Sequence, residues 1–133
     1  MDEKFTEATL NRPQGHRTLD APLVTIDLRF FIAQIKQEDQ WKKTDRNAIT
    51  IFKSLVMRIV LIALHKGAEI KDHTSSTGTI NVHVIEGEMQ FTTTDQTIIL
   101  YTGQMLILQE GIAHSVLAKE ETVFLLTDRK SVV

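Results

Sequence analysis

The stretch GAEIKDHTSSTGTINVHVIEGEMQF, residues 67–91, decides how the rest of the chain is read. Between residues 79 and 86 (TINVHVIE) apolar positions alternate, with Ile80, Val82 and Val84 on one face and His83 on the other. A period of two is the pattern of a strand half buried against a core. Gly87 separates this run from a second one, EMQFTTT at 88–94, which is also rich in strand-forming residues.

The same texture continues on both sides. NAITIFK (47–53), VMRIVLIAL (56–64), QTIILY (96–101), QMLILQ (104–109), AHSVLA (113–118) and TVFLLT (122–127) all read as strands, which makes eight in close succession. Gly67, Gly87, Gly103 and Gly111 punctuate them, while Thr94-Asp95-Gln96 and Lys119-Glu120-Glu121 are expected to close polar hairpins. The sequence therefore predicts a mainly β barrel or sandwich. VMRIVLIAL is apolar on both faces except at Arg58, so its inner face is expected in the barrel and its outer face against a helix or a second subunit.

Upstream, Asp27 is a candidate N-cap for one short amphipathic helix with Leu28, Phe31, Ile32 and Ile35 on a single stripe, ending near Gln40. Trp41 is expected to anchor that helix on the barrel, and Lys42 and Lys43 to complement its dipole. Residues 1–20 are polar, carry Pro13 and Gly15 and lack sustained periodicity; they read as an arm. The expected division is an arm at 1–20, a helical segment at 21–46, the barrel at 47–128 and a tail at 129–133.

Composition narrows the function classes. At 133 residues the chain suffices for one ordinary domain. Fifteen Lys plus Arg against 17 Asp plus Glu leave a formal charge of −2, so neither nucleic acid nor an anionic membrane is an expected partner. The longest apolar run, residues 59–64, falls far short of the roughly 20 residues that span a bilayer. The polar N-terminus does not resemble a secretory signal, and a cytoplasmic protein is expected. With no cysteine, any metal would be held by nitrogen and oxygen.

Residues 67–118 carry a family resemblance. The pattern G-x5-H-x-H-x3,4-E-x6-G is in frame at Gly67, His73, Ser75, Ile80 and Gly87; the pattern G-x5-P-x-G-x2-H-x3-N is in frame at Gly103, Gln109, Gly111, His114 and Ala118. In these motifs the chain resembles the cupin superfamily, in particular its small single-domain bacterial members. The resemblance implies a double-stranded β-helix, a jelly-roll-like antiparallel barrel, often dimeric, with a pocket lined by both motifs.

The departures from the pattern bear on chemistry. Metal-binding cupins supply three histidines and a glutamate; here His73 and His114 match the first and last histidine, while Ser75 and Ile80 replace the other two ligands. Two imidazoles fall short of the three protein ligands usual in open zinc or iron sites. His83 lies three positions beyond Ile80 and is expected on the opposite face, Glu69 and Lys71 share parity with His73, and Gln109 offers an amide oxygen. Met105 and Ile107 are expected to join Ile80, Val82 and Val84 in an apolar lining. Tyr101 and Asp72 do not assemble the histidine, acid and tyrosine set of the epimerases built on this fold.

The resulting expectation is a small-molecule-binding cupin, homodimeric, with pocket residues His73, Ser75, Ile80, Val82, Gln109 and His114 and without the four-ligand metal site. The alternative is a divalent-metal dioxygenase or isomerase using His73, His114 and a further ligand.

Overall fold

The outer surface of the β-rich region is covered by two short helices, where the periodicity predicts one. The computed structural model describes residues 4–6, 17–74 and 78–130, with side chains from 19–71 and 78–130. The elements run β1 (Lys4–Thr6), β2 (Arg17–Asp20), α1 (Leu28–Gln37), α2 (Asp39–Lys43), β3 (Arg46–Lys53), β4 (Met57–Leu64), β5 (Glu69–Thr74), β6 (Gly78–Glu86), β7 (Glu88–Thr93), β8 (Thr97–Tyr101), β9 (Met105–Leu108), β10 (Ala113–Ala118) and β11 (Thr122–Lys130). They form a hairpin β1-β2, a four-stranded sheet β5-β10-β7-β8 and a five-stranded sheet β3-β4-β11-β6-β9. Every described strand pair is antiparallel.

The helix begins as its cap residue predicts, with the Asp27 carboxylate accepting from the Arg29 backbone N–H at 3.1 Å. It does not continue to Gln40. Glu38 leaves the helix with an extended backbone (φ −73°, ψ 149°), and α2 follows at once. Asn47, buried on β3, donates from its side-chain amide to the Ile35 carbonyl (3.0 Å) and to the Glu38 carboxylate (2.9 Å). Those bonds satisfy groups at the end of α1 and hold the break. Trp41 is buried on α2, its indole stacked on the His65 ring at 3.5 Å and 14°.

The three central strands of the five-stranded sheet, β4, β11 and β6, send residues to two cores. On the helix side, Ile35 and Trp41 meet Ile49, Ile51, Leu61, Ala63 and Val123. On the other side, Leu64, Val82, Val84 and Phe124 meet Met89, Phe91, Leu100 and Val116 from the four-stranded sheet. The outer face of β4 is thus covered by the helices of its own chain.

Strand connections differ from expectation at three places. Thr94-Asp95-Gln96 does close a hairpin, between β7 and β8, with the Thr93 N–H donating to the Gln96 carbonyl at 2.8 Å. Lys119-Glu120-Glu121 does not; it carries the chain from β10 in one sheet to β11 in the other. β5 has Ile70 as its lone apolar side chain, so alternation does not reveal it, and its pairing with β10 creates it as a strand. Within the polar arm, β1 and β2 pair with each other, and β2 runs alongside β3.

Gly87 turns the chain between the sheets. Its φ of 101° favours glycine, and a Cβ there would overlap the Glu121 carbonyl. The fully buried Thr122 hydroxyl sits beside it, accepting from the Glu88 N–H at 3.2 Å and sharing its proton between the carbonyls of Glu120 (2.8 Å) and Glu88 (3.0 Å).

Candidate functional site

Between the two sheets the inner core is incompletely filled, leaving a cavity of 290 Å³. Its walls from the five-stranded sheet are Thr50, Arg58, Val60, Ile62, Ile80, Val82, Phe124 and Leu126; from the four-stranded sheet they are Ile70, Phe91, His114 and Val116. A mostly apolar concavity with a few convergent polar groups is the usual form of a small-molecule site.

His114 is 7% exposed and stacks on Phe91, with ring centroids 5.2 Å apart and planes at 13°. Its Nδ1–H donates to the Ile112 carbonyl at 3.1 Å. A carbonyl only accepts, so this bond places a proton on Nδ1. Strand alternation on β10 explains the placement, because His114 and Val116 both reach the cavity.

His73 is the register partner of His114 across the β5–β10 pair. The next pairing is Val116 with Ile70, so three steps on β5 match two on β10, which is a bulge. Parity counted through this segment therefore fails. Ile70 lines the cavity, whereas Glu69 and Lys71 are exposed, their charged groups 3.8 Å apart. The side chains of Asp72 and His73, and the whole of Ser75, lie outside the described residues.

Among the other expected lining residues, Ile80 and Val82 are 3% and 2% exposed and both face the cavity. Gln109 is exposed and is not part of the lining. Met105 and Ile107 are also on the outside, 54% and 59% exposed. The inward residues of β9 are Leu106 and Leu108, which pair with Val82 and Ile80 and therefore share their face. The run MLIL is apolar at every position, so periodicity does not identify its inner side. His83 falls on the face opposite Ile80, Val82 and Val84, and Tyr101 is exposed at the end of β8.

The site also contains a charged pair with no expected role. Arg58 lines the cavity, and its Nη2 is 3.5 Å from Asp128 Oδ2 on the adjacent strand. Asp128 pairs with Arg58 on one side and with Ile80 on the other. Its Oδ1 is buried without a hydrogen-bond partner. A second cavity, of 260 Å³, shares Arg58 and is lined further by Asp128, Lys53, Ser54, Met57 and Lys130. The local signal was the single charge in VMRIVLIAL, together with the parity of Phe124, Leu126 and Asp128.

Of the four ligand positions in the family pattern, the described side chains cover those of Ile80 and His114, and of these two only His114 carries a donor atom. Ile80 occupies the carboxylate position and offers no donor, and the nearby Asp128 carboxylate faces the Arg58 guanidinium. Among the described residues no three His, Asp or Glu side chains converge as a ligand set.

No protein-family model and no curated protein matches the sequence. Solved structures do. A conserved protein of unknown function from Streptococcus pyogenes is similar with a TM-score of 0.63 at 27% identity, over 68% of this chain and 80% of that one. A cupin-2 domain containing protein from Shewanella frigidimarina gives 0.64 at 21% identity, over 79% and 94%. A cupin superfamily protein from Desulfitobacterium hafniense gives 0.62 at 19% identity, over 65% and 78%. The chain has the cupin fold, a mainly β, antiparallel double-stranded β-helix. No described helix is long and apolar enough to cross a membrane.

Proposed function

We propose that this cupin-fold chain binds a small, largely apolar molecule between its two sheets, as a cytoplasmic homodimer and without the four-ligand metal centre of the family pattern. The carrying observation is the 290 Å³ cavity, in which Ile80 stands at the carboxylate position and His114 is the one imidazole among the described lining residues. The volume is near the lower end of the roughly 300–1,000 Å³ usual for such pockets, which favours a compact ligand. Support for the dimer comes from the exposed Met105 and Ile107 on β9, an edge strand whose outer face is apolar.

His114 would supply a polar contact to the ligand, while Phe91 and Val116 exclude water around it. The test is calorimetric titration of small apolar alcohols and acids into the wild type and Val82→Trp, whose indole fills the cavity. Binding by the wild type alone is expected; equal binding by both, or by neither, refutes the reading. Light scattering during size exclusion should give twice the chain mass, and a monomer across concentration removes the dimer.

A second reading, a divalent-metal dioxygenase or isomerase using His73 and His114 with a further ligand, is favoured by the direct register pairing of the two histidines. Elemental analysis of chelator-free protein separates the readings. Substoichiometric metal, unchanged in His73→Ala and His114→Ala, is expected; one ion per chain, lost in both variants, makes the enzyme reading primary.

A further inference from the structure

The inner face of the five-stranded sheet changes polarity in rows. Lys53 pairs with Arg58, Arg58 with Asp128, and Asp128 with Ile80, so one row across four strands begins with three consecutive charges. Two residues further along β4 the row is Thr50, Val60, Leu126 and Val82; two further again it includes Ile62, Phe124 and Val84. Cross-strand partners share a face, and two residues of strand advance about 7 Å. Charge therefore gives way to an apolar wall over a distance comparable with a short alkyl chain.

The two cavities follow the same division. The apolar rows line the 290 Å³ cavity, while Lys53, Asp128 and Lys130 line the 260 Å³ one. Arg58 lines both and is the polar group at their junction. Resting on the cavity reading above, we propose that the ligand is a small amphipathic carboxylate, its head bound by Arg58 and its apolar body seated among Val60, Val82 and Leu126.

The charge balance favours one negative charge. Lys53, Arg58 and Lys130 outnumber the single carboxylate of Asp128 around the second cavity, so the local field attracts an anion. Asp128 in the same row opposes a second charge on the ligand. A guanidinium has five N–H donors, and the ion pair of Arg58 with Asp128 is long at 3.5 Å, which leaves donors to fork onto a carboxylate. Asp128 acts here as a positioning residue, holding the Arg58 head group from the strand side. Lys53 and Lys130 are exposed and add attraction without fixed geometry.

Calorimetric titration with hexanoate, octanoate and 1-octanol tests this on the whole protein, with Arg58→Met, Arg58→Lys and Val82→Trp as variants. Octanoate is expected to bind at least about tenfold tighter than octanol, the scale of a charge-assisted hydrogen bond. It should bind more tightly than hexanoate by about fourfold per methylene, the scale of apolar burial. Arg58→Met should weaken octanoate binding at least about tenfold more than octanol binding and so remove the preference for the acid, and Arg58→Lys should keep part of it.

The failures are distinguishable. Equal wild-type affinity for acid and alcohol, or a uniform loss in Arg58→Met, overturns the head-group assignment and leaves the cavity reading standing. Absence of chain-length dependence overturns the seating of the apolar body. Octanoate binding that survives in Val82→Trp places the ligand elsewhere and overturns both, as does a wild type that binds none of the three probes. The wild-type comparison of acid with alcohol stands even where a variant fails to fold.

Discussion

The two faces of the five-stranded sheet are built from neighbouring residues of the same strands and packed to different densities. On β4, Leu61 and Ala63 point toward the helices and are fully buried, while Val60 and Ile62 point toward the cavity and remain partly accessible. Helices can close onto the outer face because α1 and α2 are short, separately placed and pinned by Asn47. The inner face meets another sheet, whose spacing of about 10 Å is set by backbone geometry and filled only where side chains are long enough. Valines and isoleucines opposite His114 and Val116 leave a void there. The outer face serves stability, and the inner face retains space.

Adjacent truncations on β4 make the strongest test of that contrast. Leu61→Ala should cost about 2–5 kcal/mol, the range for a large aliphatic side chain removed from a closed core. Ile62→Ala should cost only about 1–2 kcal/mol, because a partly buried side chain beside an existing cavity loses fewer contacts. Urea unfolding followed by circular dichroism measures both. Equal losses would mean that the two faces are packed alike.

Enlarging side chains should reverse sign across the sheet. Ala63→Val forces two methyl groups into the helix-facing core and is expected to destabilise by about 1–3 kcal/mol. Val60→Ile extends into open volume and should stabilise by about 0.5–1 kcal/mol. A destabilising Val60→Ile would show the inner face to be already full.

What was legible in the sequence follows the same boundary. β6 was readable because apolar Ile80, Val82 and Val84 alternate with Asn81 and His83, and one face is buried while the other is not. On β9, Met105, Leu106, Ile107 and Leu108 leave no polar residue to mark the outside, so alternation assigns Met105 and Ile107 to the wrong face. The bulge opposite His114 defeated parity on β5, and the break at Glu38 depends on Asn47, a residue of another element. The Arg58–Asp128 pair was unreadable for a related reason. Its members are 70 positions apart (128 − 58), and register between strands, not local pattern, brings them together. Local periodicity reports which face a residue occupies; it does not report which residue lies beside it.

The smallest expected effect concerns how the helices are tied to the barrel. Lys36, in the last turn of α1, contacts Glu86 at 2.7 Å and Glu121 at 3.3 Å, one at the end of β6 and the other between β10 and β11. Burial lowers the ammonium pKa, but hydrogen bonds and charge attraction from both carboxylates outweigh it and hold the pKa above its ordinary value of 10.5. A cation whose folded pKa is raised binds its proton more tightly when folded. Its stabilisation is therefore complete below pH 10.5 and disappears as pH rises through the folded value. Lys36→Met should lose about 0.5–1 kcal/mol at neutral pH, the scale of a partly exposed ion-pair network. The wild-type and variant stabilities should converge above pH 10.5, and high salt should narrow their difference at neutral pH. A difference constant from pH 7 to 11 would assign the contribution of Lys36 to its aliphatic stem against the outer core, making even this contact part of the packed face.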